Sequence, residues 1–153
     1  MPSPDPQRLL SVLRHEGRPG PVPFIELFAD QPIMEAVLGF AFPAAVTADR
    51  DANRARTDAL IAFYRRMGYD YVPVAIGQVL HHTRAAAVDT AALSKGMRHW
   101  DNSTTGMIAS WADLEAYPWP RPEEVDYSPA EEMLARIPDD MGAIAVGNGG
   151  VLE

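Results

Sequence analysis

Cysteine is absent from the 153 residues. That excludes disulfides, thiolate nucleophiles and thiolate-held zinc together, so any chemistry must rest on carboxylate, His, Arg or Tyr groups. Lysine is nearly absent as well, Lys95 being the single copy among 13 basic residues set against 21 acidic ones. A formal net charge of −8 without clustered Lys and Arg argues against a nucleic-acid partner, whose phosphates demand such clusters. No run approaches the roughly 18 apolar residues of a membrane span. The opening Met1-Pro-Ser-Pro-Asp-Pro also lacks the basic and apolar regions of a signal peptide. No membrane partner and a cytoplasmic location are the resulting expectations. What is present, 47% hydrophobic and 22% charged residues, is the composition of an ordinary folded domain.

Periodicity and punctuation supply an element order. Pro6 to Glu16 places Leu9, Leu10, Val12 and Leu13 on one helical stripe, with Gly17 as its stop. Val22-Pro-Phe-Ile-Glu-Leu-Phe28 is a compact apolar run of β-formers that reads as a first buried strand. A short helix from Gln31 closes at Gly39, and a long one capped by Thr47 runs to Met67, with Gly68 as its terminator. Residues 69–76 read as a second strand. Residues 85–110 suggest short strands around an Asp-Asn-Ser turn and form an inserted hairpin-like excursion. Ser110 with Asp113, and Ser128 with Pro129 and Glu131, carry the capping signatures of two further helices. Residues 141–153 read as a third strand.

Strands alternating with helices, with polar residues gathered after each strand, match the opening of a (β/α)8 barrel. The expected fold class is therefore α/β, a partial TIM barrel with its first three parallel strands, covering helices and the 85–110 excursion. Three stretches give the pattern a family likeness: Arg8-Leu-Leu-Ser-Val-Leu-Arg-His-Glu-Gly-Arg-Pro-Gly-Pro-Val-Pro-Phe-Ile-Glu26; Phe63-Tyr-Arg-Arg-Met-Gly-Tyr-Asp-Tyr-Val-Pro-Val74; and Arg98-His-Trp-Asp continuing through Gly106-Met-Ile-Ala-Ser-Trp-Ala-Asp-Leu-Glu-Ala-Tyr-Pro-Trp-Pro120. Together they resemble the uroporphyrinogen decarboxylase superfamily, which includes corrinoid-linked methyltransferases. The resemblance implies that residues 1–153 are the N-terminal portion of such a barrel domain. Three strands cannot close eight, so a truncated frame, a fragment or one half of a split protein is expected, inactive alone. Its partners would be a small-molecule substrate in the complete form, and either a second copy or the remaining barrel segment.

Catalytic groups of such sheets sit at the C-terminal ends of strands. By that rule Glu26 is a candidate proton-transfer or ligand-orienting carboxylate, the plainer reading being a strand-end residue paired to an arginine. Gln78 follows the second strand, where the resemblance implies an aspartate that binds pyrrole nitrogens; an amide lacks that full negative charge. Asp30, His81, Arg84, Asn148 and Glu153 complete the substrate-binding candidates. His81 and His82 are adjacent on an extended loop and point apart, so no metal is expected there. Asp30 also stands where the family's decarboxylases place an arginine-rich loop, an electrostatic mismatch for a polycarboxylate. Trp100, Trp111 and Trp119 read as aromatic anchors of the excursion. The decarboxylase reading implies no cofactor; zinc and a corrinoid enter only with the methyltransferase reading.

Overall fold

The computed structural model describes residues 3–17, 20–44, 49–76, 84–88, 97–101 and 108–147. In chain order the elements are α1 (Gln7–Leu13), α2 (Gln31–Leu38), α3 (Arg50–Met67), β1 (Tyr71–Ala75), β2 (Arg84–Val88), β3 (Met97–Asp101), α4 (Trp111–Ala116), α5 (Ser128–Leu134) and β4 (Gly142–Val146), with a single 3₁₀ turn at Pro122–Glu124. The protein is mixed α/β. The chain divides into two compact units, the first made of Met1–Ala75 and Tyr127–Val146, the second of Ile76–Asp126 and Gly147–Glu153.

In the first unit β1 and β4 pair in parallel, Tyr71 opposite Gly142 through Ala75 opposite Val146. A parallel pair needs a crossover, and here the last element before β4 is α5, which packs on β1 together with α3. Val72 and Val74 are fully enclosed, at 0% and 1% exposure, so β1 is the more buried of the two strands, whereas β4 alternates between half-buried and exposed. Around Val72 gather Met34 of α2, Phe42, Ala59, Ile61, Phe63 and Tyr64 of α3, and Met141. This is the core.

Helix ends follow local chemistry. Gly39 and Gly68 take left-handed φ values of 82° and 81°, where a side chain would be strained, and end α2 and α3. The cap of α3 is Asp49, not Thr47: its carboxylate accepts from the Asp51 and Ala52 N–H groups, satisfying donors that the first turn leaves open. Thr47 lies outside the described residues. Helix α5 begins on Ser128 itself, with Tyr127 in the cap position.

Two sequence expectations need correction. Residues 22–28 form no strand; Val22, Phe24, Ile25, Leu27 and Phe28 are all exposed, and no described backbone pairs with theirs. Strand propensity expresses packing within a sheet, and among the described residues no strand pairs with these. The apolar stripe of α1 is covered only in part: Leu9 and Leu10 are half-buried, Leu13 is 65% exposed, and the most enclosed residue is Arg8, at 8%. The helix ends at Leu13, four residues before Gly17.

In the second unit β2 and β3 pair antiparallel, Arg84 opposite Asp101 and Val88 opposite Met97. Their connection, 89–96, lies outside the described residues, as do Asn102 and Ser103 of the expected Asp-Asn-Ser turn. Helix α4 carries the expected cap, the Ser110 hydroxyl accepting from Asp113 N–H at 3.2 Å and donating to Asp113 Oδ2 at 2.8 Å. That bond, then the Ala109 N–H, hold the Asp113 carboxyl below its ordinary range.

Candidate functional site

The C-terminal ends of β1 and β4 are Ala75 and Val146, and the chain leaves each through segments outside the described residues, 77–83 and 148–153. Gln78, His81, Asn148 and Glu153 therefore lie beyond what the structure describes. Arg84 opens β2, in the second unit. Glu26 and Asp30 are described. Glu26 is exposed, its carboxylate turned back on the chain to accept from Leu27 N–H at 3.0 Å. Asp30 caps α2 through its carbonyl, which accepts from Ile33 and Met34 N–H at 2.9 and 3.1 Å. Both belong to the stretch before α2 and neither stands at a strand end, because residues 22–28 are not a strand.

Glu26 nonetheless bears on the core. Tyr64 is 1% exposed, edge-on to Phe63 at 5.3 Å between ring centres and tilted against Tyr69 at 5.4 Å. Its phenol is pushed up to about 12, first by burial and then by the negative charges of Glu26 and ionised Tyr69. At neutral pH this hydroxyl keeps its proton. It can donate a hydrogen bond but cannot serve as a base.

The most connected polar constellation lies at the opposite, N-terminal ends of the strands. Asp70 precedes β1 and is 2% exposed. Its Oδ1 accepts from Arg8 Nη2 at 2.5 Å and from Asp5 N–H at 2.9 Å, while its carbonyl accepts from Gly142 N–H at 2.9 Å. Arg8 Nη2 also donates to Ser3 O at 2.8 Å, leaving Nε enclosed without a hydrogen-bond partner and 4.0 Å from Asp5 Oδ2. The Tyr71 hydroxyl donates to Pro6 O. Burial, then the charges of Asp70 and Asp5, raise the Tyr71 phenol above its usual value.

Gly142 is held in the same corner. A Cβ there would lie 2.5 Å from Tyr71 Cδ1 and 3.0 Å from Pro6 Cβ, so only hydrogen fits. The N-terminal segment thus bolts together the starts of both parallel strands. In α/β sheets that end carries stability and the other carries chemistry, so the cluster is structural. Sequence reasoning passed over Arg8, Asp70 and Gly142. The one available signal was Asp70, a charge set immediately before an apolar strand.

Among the described residues no group of three or more His, Asp or Glu side chains could hold a metal ion, and no helix is long and apolar enough to cross a membrane. Trp111 is 81% exposed and is not the buried anchor expected of it. Trp119 folds on its own neighbourhood, edge-on to Tyr117 at 4.6 Å and donating to Leu114 O at 3.2 Å. No protein-family model, curated protein sequence or solved structure matches the chain.

Proposed function

We propose that this chain is a uroporphyrinogen decarboxylase-like protein, built on the first strands of a (β/α)8 barrel and acting on a tetrapyrrole or transferring a methyl group in its complete form. The three sequence stretches supply the likeness. The observation that carries it furthest is the parallel pair β1 and β4, with the polypeptide between them leaving from the C-terminal end of β1. Barrel enzymes elaborate that end of their strands into substrate sites. In the decarboxylase reading no cofactor takes part: protonation of a pyrrole makes the ring an electron sink for the departing carboxylate, and positioned acids and counter-charges assist. Glu26 is the proposed proton-transfer or orienting carboxylate. Gln78, an amide where the likeness implies an aspartate, and Asp30, an acid where it implies arginines, favour a relative with a substrate less acidic than uroporphyrinogen. Zinc and a corrinoid belong only to the methyl-transfer version. A cytoplasmic location is part of the same proposal.

The test incubates the purified chain with uroporphyrinogen, following carboxylate loss by chromatography and binding by quenching of the tryptophans. Saturable binding, with or without turnover, supports the reading. Neither binding nor turnover, for uroporphyrinogen and for less carboxylated porphyrinogens, by this chain and by the chain co-expressed with later barrel strands, would overturn the tetrapyrrole assignment.

A second reading, a non-catalytic subunit that pairs with further barrel strands, is favoured by the exposed apolar residues 22–28. Co-expression with a polypeptide carrying later barrel strands would test it. Failure to co-purify at micromolar concentration counts against it.

A further inference from the structure

Two features of the first unit are each incomplete. The first is the arm formed by residues 20–29. Val22, Phe24, Ile25, Leu27 and Phe28 are between 41% and 79% exposed. In an extended chain alternate residues face opposite ways, so Phe24 and Phe28 lie on one face and Ile25 and Leu27 on the other. Glu26 interrupts the first of these faces, and the second is apolar throughout, as in a strand of a sheet covered on at least one side. Yet among the described residues the arm's backbone makes no hydrogen bond to other backbone, and Leu27 N–H reaches only the neighbouring Glu26 carboxylate.

The second feature is an edge of β1. The Asp70 carbonyl accepts from Gly142 N–H, so the backbone groups of 70, 72 and 74 face β4. Those of Tyr71, Pro73 and Ala75 then face the other way, where no described strand pairs with them. Pro73 offers no N–H on that edge, which removes one rung and leaves the N–H groups of Tyr71 and Ala75 and three carbonyls. An unpaired strand and an unpaired edge thus occur in the same unit without being joined.

We propose that the arm of one copy adds as a strand to the open edge of β1 in a second copy, and the reverse, forming a two-fold dimer by arm exchange. Reciprocal exchange uses only surfaces that every copy already carries, and it closes after two. At one end the arm begins between Gly17 and Gly20, which take left-handed φ values of 109° and 85°. It is fixed at the other, where Ala29 packs on the core before α2 begins. The area is sufficient. From the sizes of the side chains and their exposure each arm presents roughly 400 Å² of apolar surface. Two arms and the surfaces they cover come to about 1,600 Å², the size of a standard specific interface. This inference does not draw on the tetrapyrrole reading, and either can fail alone.

Sedimentation across a hundredfold range of concentration, joined to amide hydrogen exchange, tests it. A dimer with slowed exchange at residues 22–28 and at Tyr71 and Ala75 is expected. Phe28→Glu, at the most exposed position of the arm, should weaken dimerisation at least tenfold while leaving the thermal melt unchanged at concentrations where the wild type is itself monomeric. Ala75→Pro, which removes a second N–H from the open edge and none from the rungs to β4, should weaken it comparably. A monomer at every concentration overturns the proposal, even if the arm is protected, since the arm would then be covered within its own chain. A dimer indifferent to Phe28→Glu overturns it as well.

Discussion

Asp70 is a carboxylate at 2% exposure that holds an arginine at 8%. Removing one partner of an enclosed pair leaves the other charged and unsolvated, a loss of about 3–5 kcal/mol. Asp70→Asn keeps an acceptor for Asp5 N–H but strands the Arg8 charge, and it should lower unfolding free energy by about 3 kcal/mol. Arg8→Met with Asp70→Asn should recover part of that loss in urea titrations; an Asp70→Asn protein within 0.5 kcal/mol of wild type would show the pair to be incidental. Gly142→Ala meets the Tyr71 ring, which its bond to Pro6 keeps from retreating, so about 1–3 kcal/mol of overpacking strain is expected. Tyr64 fixes an alkaline limit. Its folded value, about 12, lies above the ordinary 10, so its contribution is full below pH 10 and is lost as pH rises from 10 towards 12. Tyr64→Phe should push the midpoint of alkaline unfolding upward, and an unchanged midpoint would assign the transition elsewhere. Tyr64 was legible as part of the apolar face of the long helix, whereas the partners of Asp70 and Gly142 were not. Arg8 reaches Asp70 across 62 positions, and the clash at Gly142 exists only once β4 lies beside β1.

At the scale of elements, α3 and the stretch 132–140 are laced by three ion pairs. Arg50 meets Glu132, Asp58 meets Arg136 at 2.5 Å, and Arg65 meets Asp140 at 2.5 Å. The three α3 residues share one side of the helix, and their signs run plus, minus, plus against minus, plus, minus. A slip of the two segments past one another sets like charges together. Exposed pairs contribute only about 0.2–1 kcal/mol each, so the pattern selects a register more than it supplies stability. Asp58→Arg should therefore cost about 1 kcal/mol, and the exchanged double variant Asp58→Arg with Arg136→Asp should regain most of it; a double variant no better than the single would mean that the charges are uncoupled. The helices were largely legible, because Gly39, Gly68 and the Ser110 with Asp113 pair carry local backbone chemistry that needs no distant partner. The first strand was not. An apolar run of β-formers states only that it would suit a sheet, and among the described residues no strand pairs with 22–28.

At the scale of the whole molecule the two units are unequally endowed. Every buried residue among the described ones, from Arg8 and Met34 to Ala130 and Met141, belongs to the first unit. The candidate site residues divide between the units as well, Glu26 and Asp30 in the first and Gln78, His81, Arg84, Asn148 and Glu153 in the second. Among its described residues the second unit encloses none, and a unit with few enclosed side chains has little hydrophobic free energy to oppose chain entropy, so it should open at lower denaturant than the first. The sequence supplies separate reporters. Trp100, Trp111 and Trp119, the only tryptophans, all lie in the second unit, whereas the long helix α3, which dominates the helical signal, lies in the first. In a urea titration tryptophan emission should change first and circular dichroism at 222 nm later, with separated midpoints. Coincident curves would mean that the units unfold as one cooperative body, and the second would then draw its stability from the first.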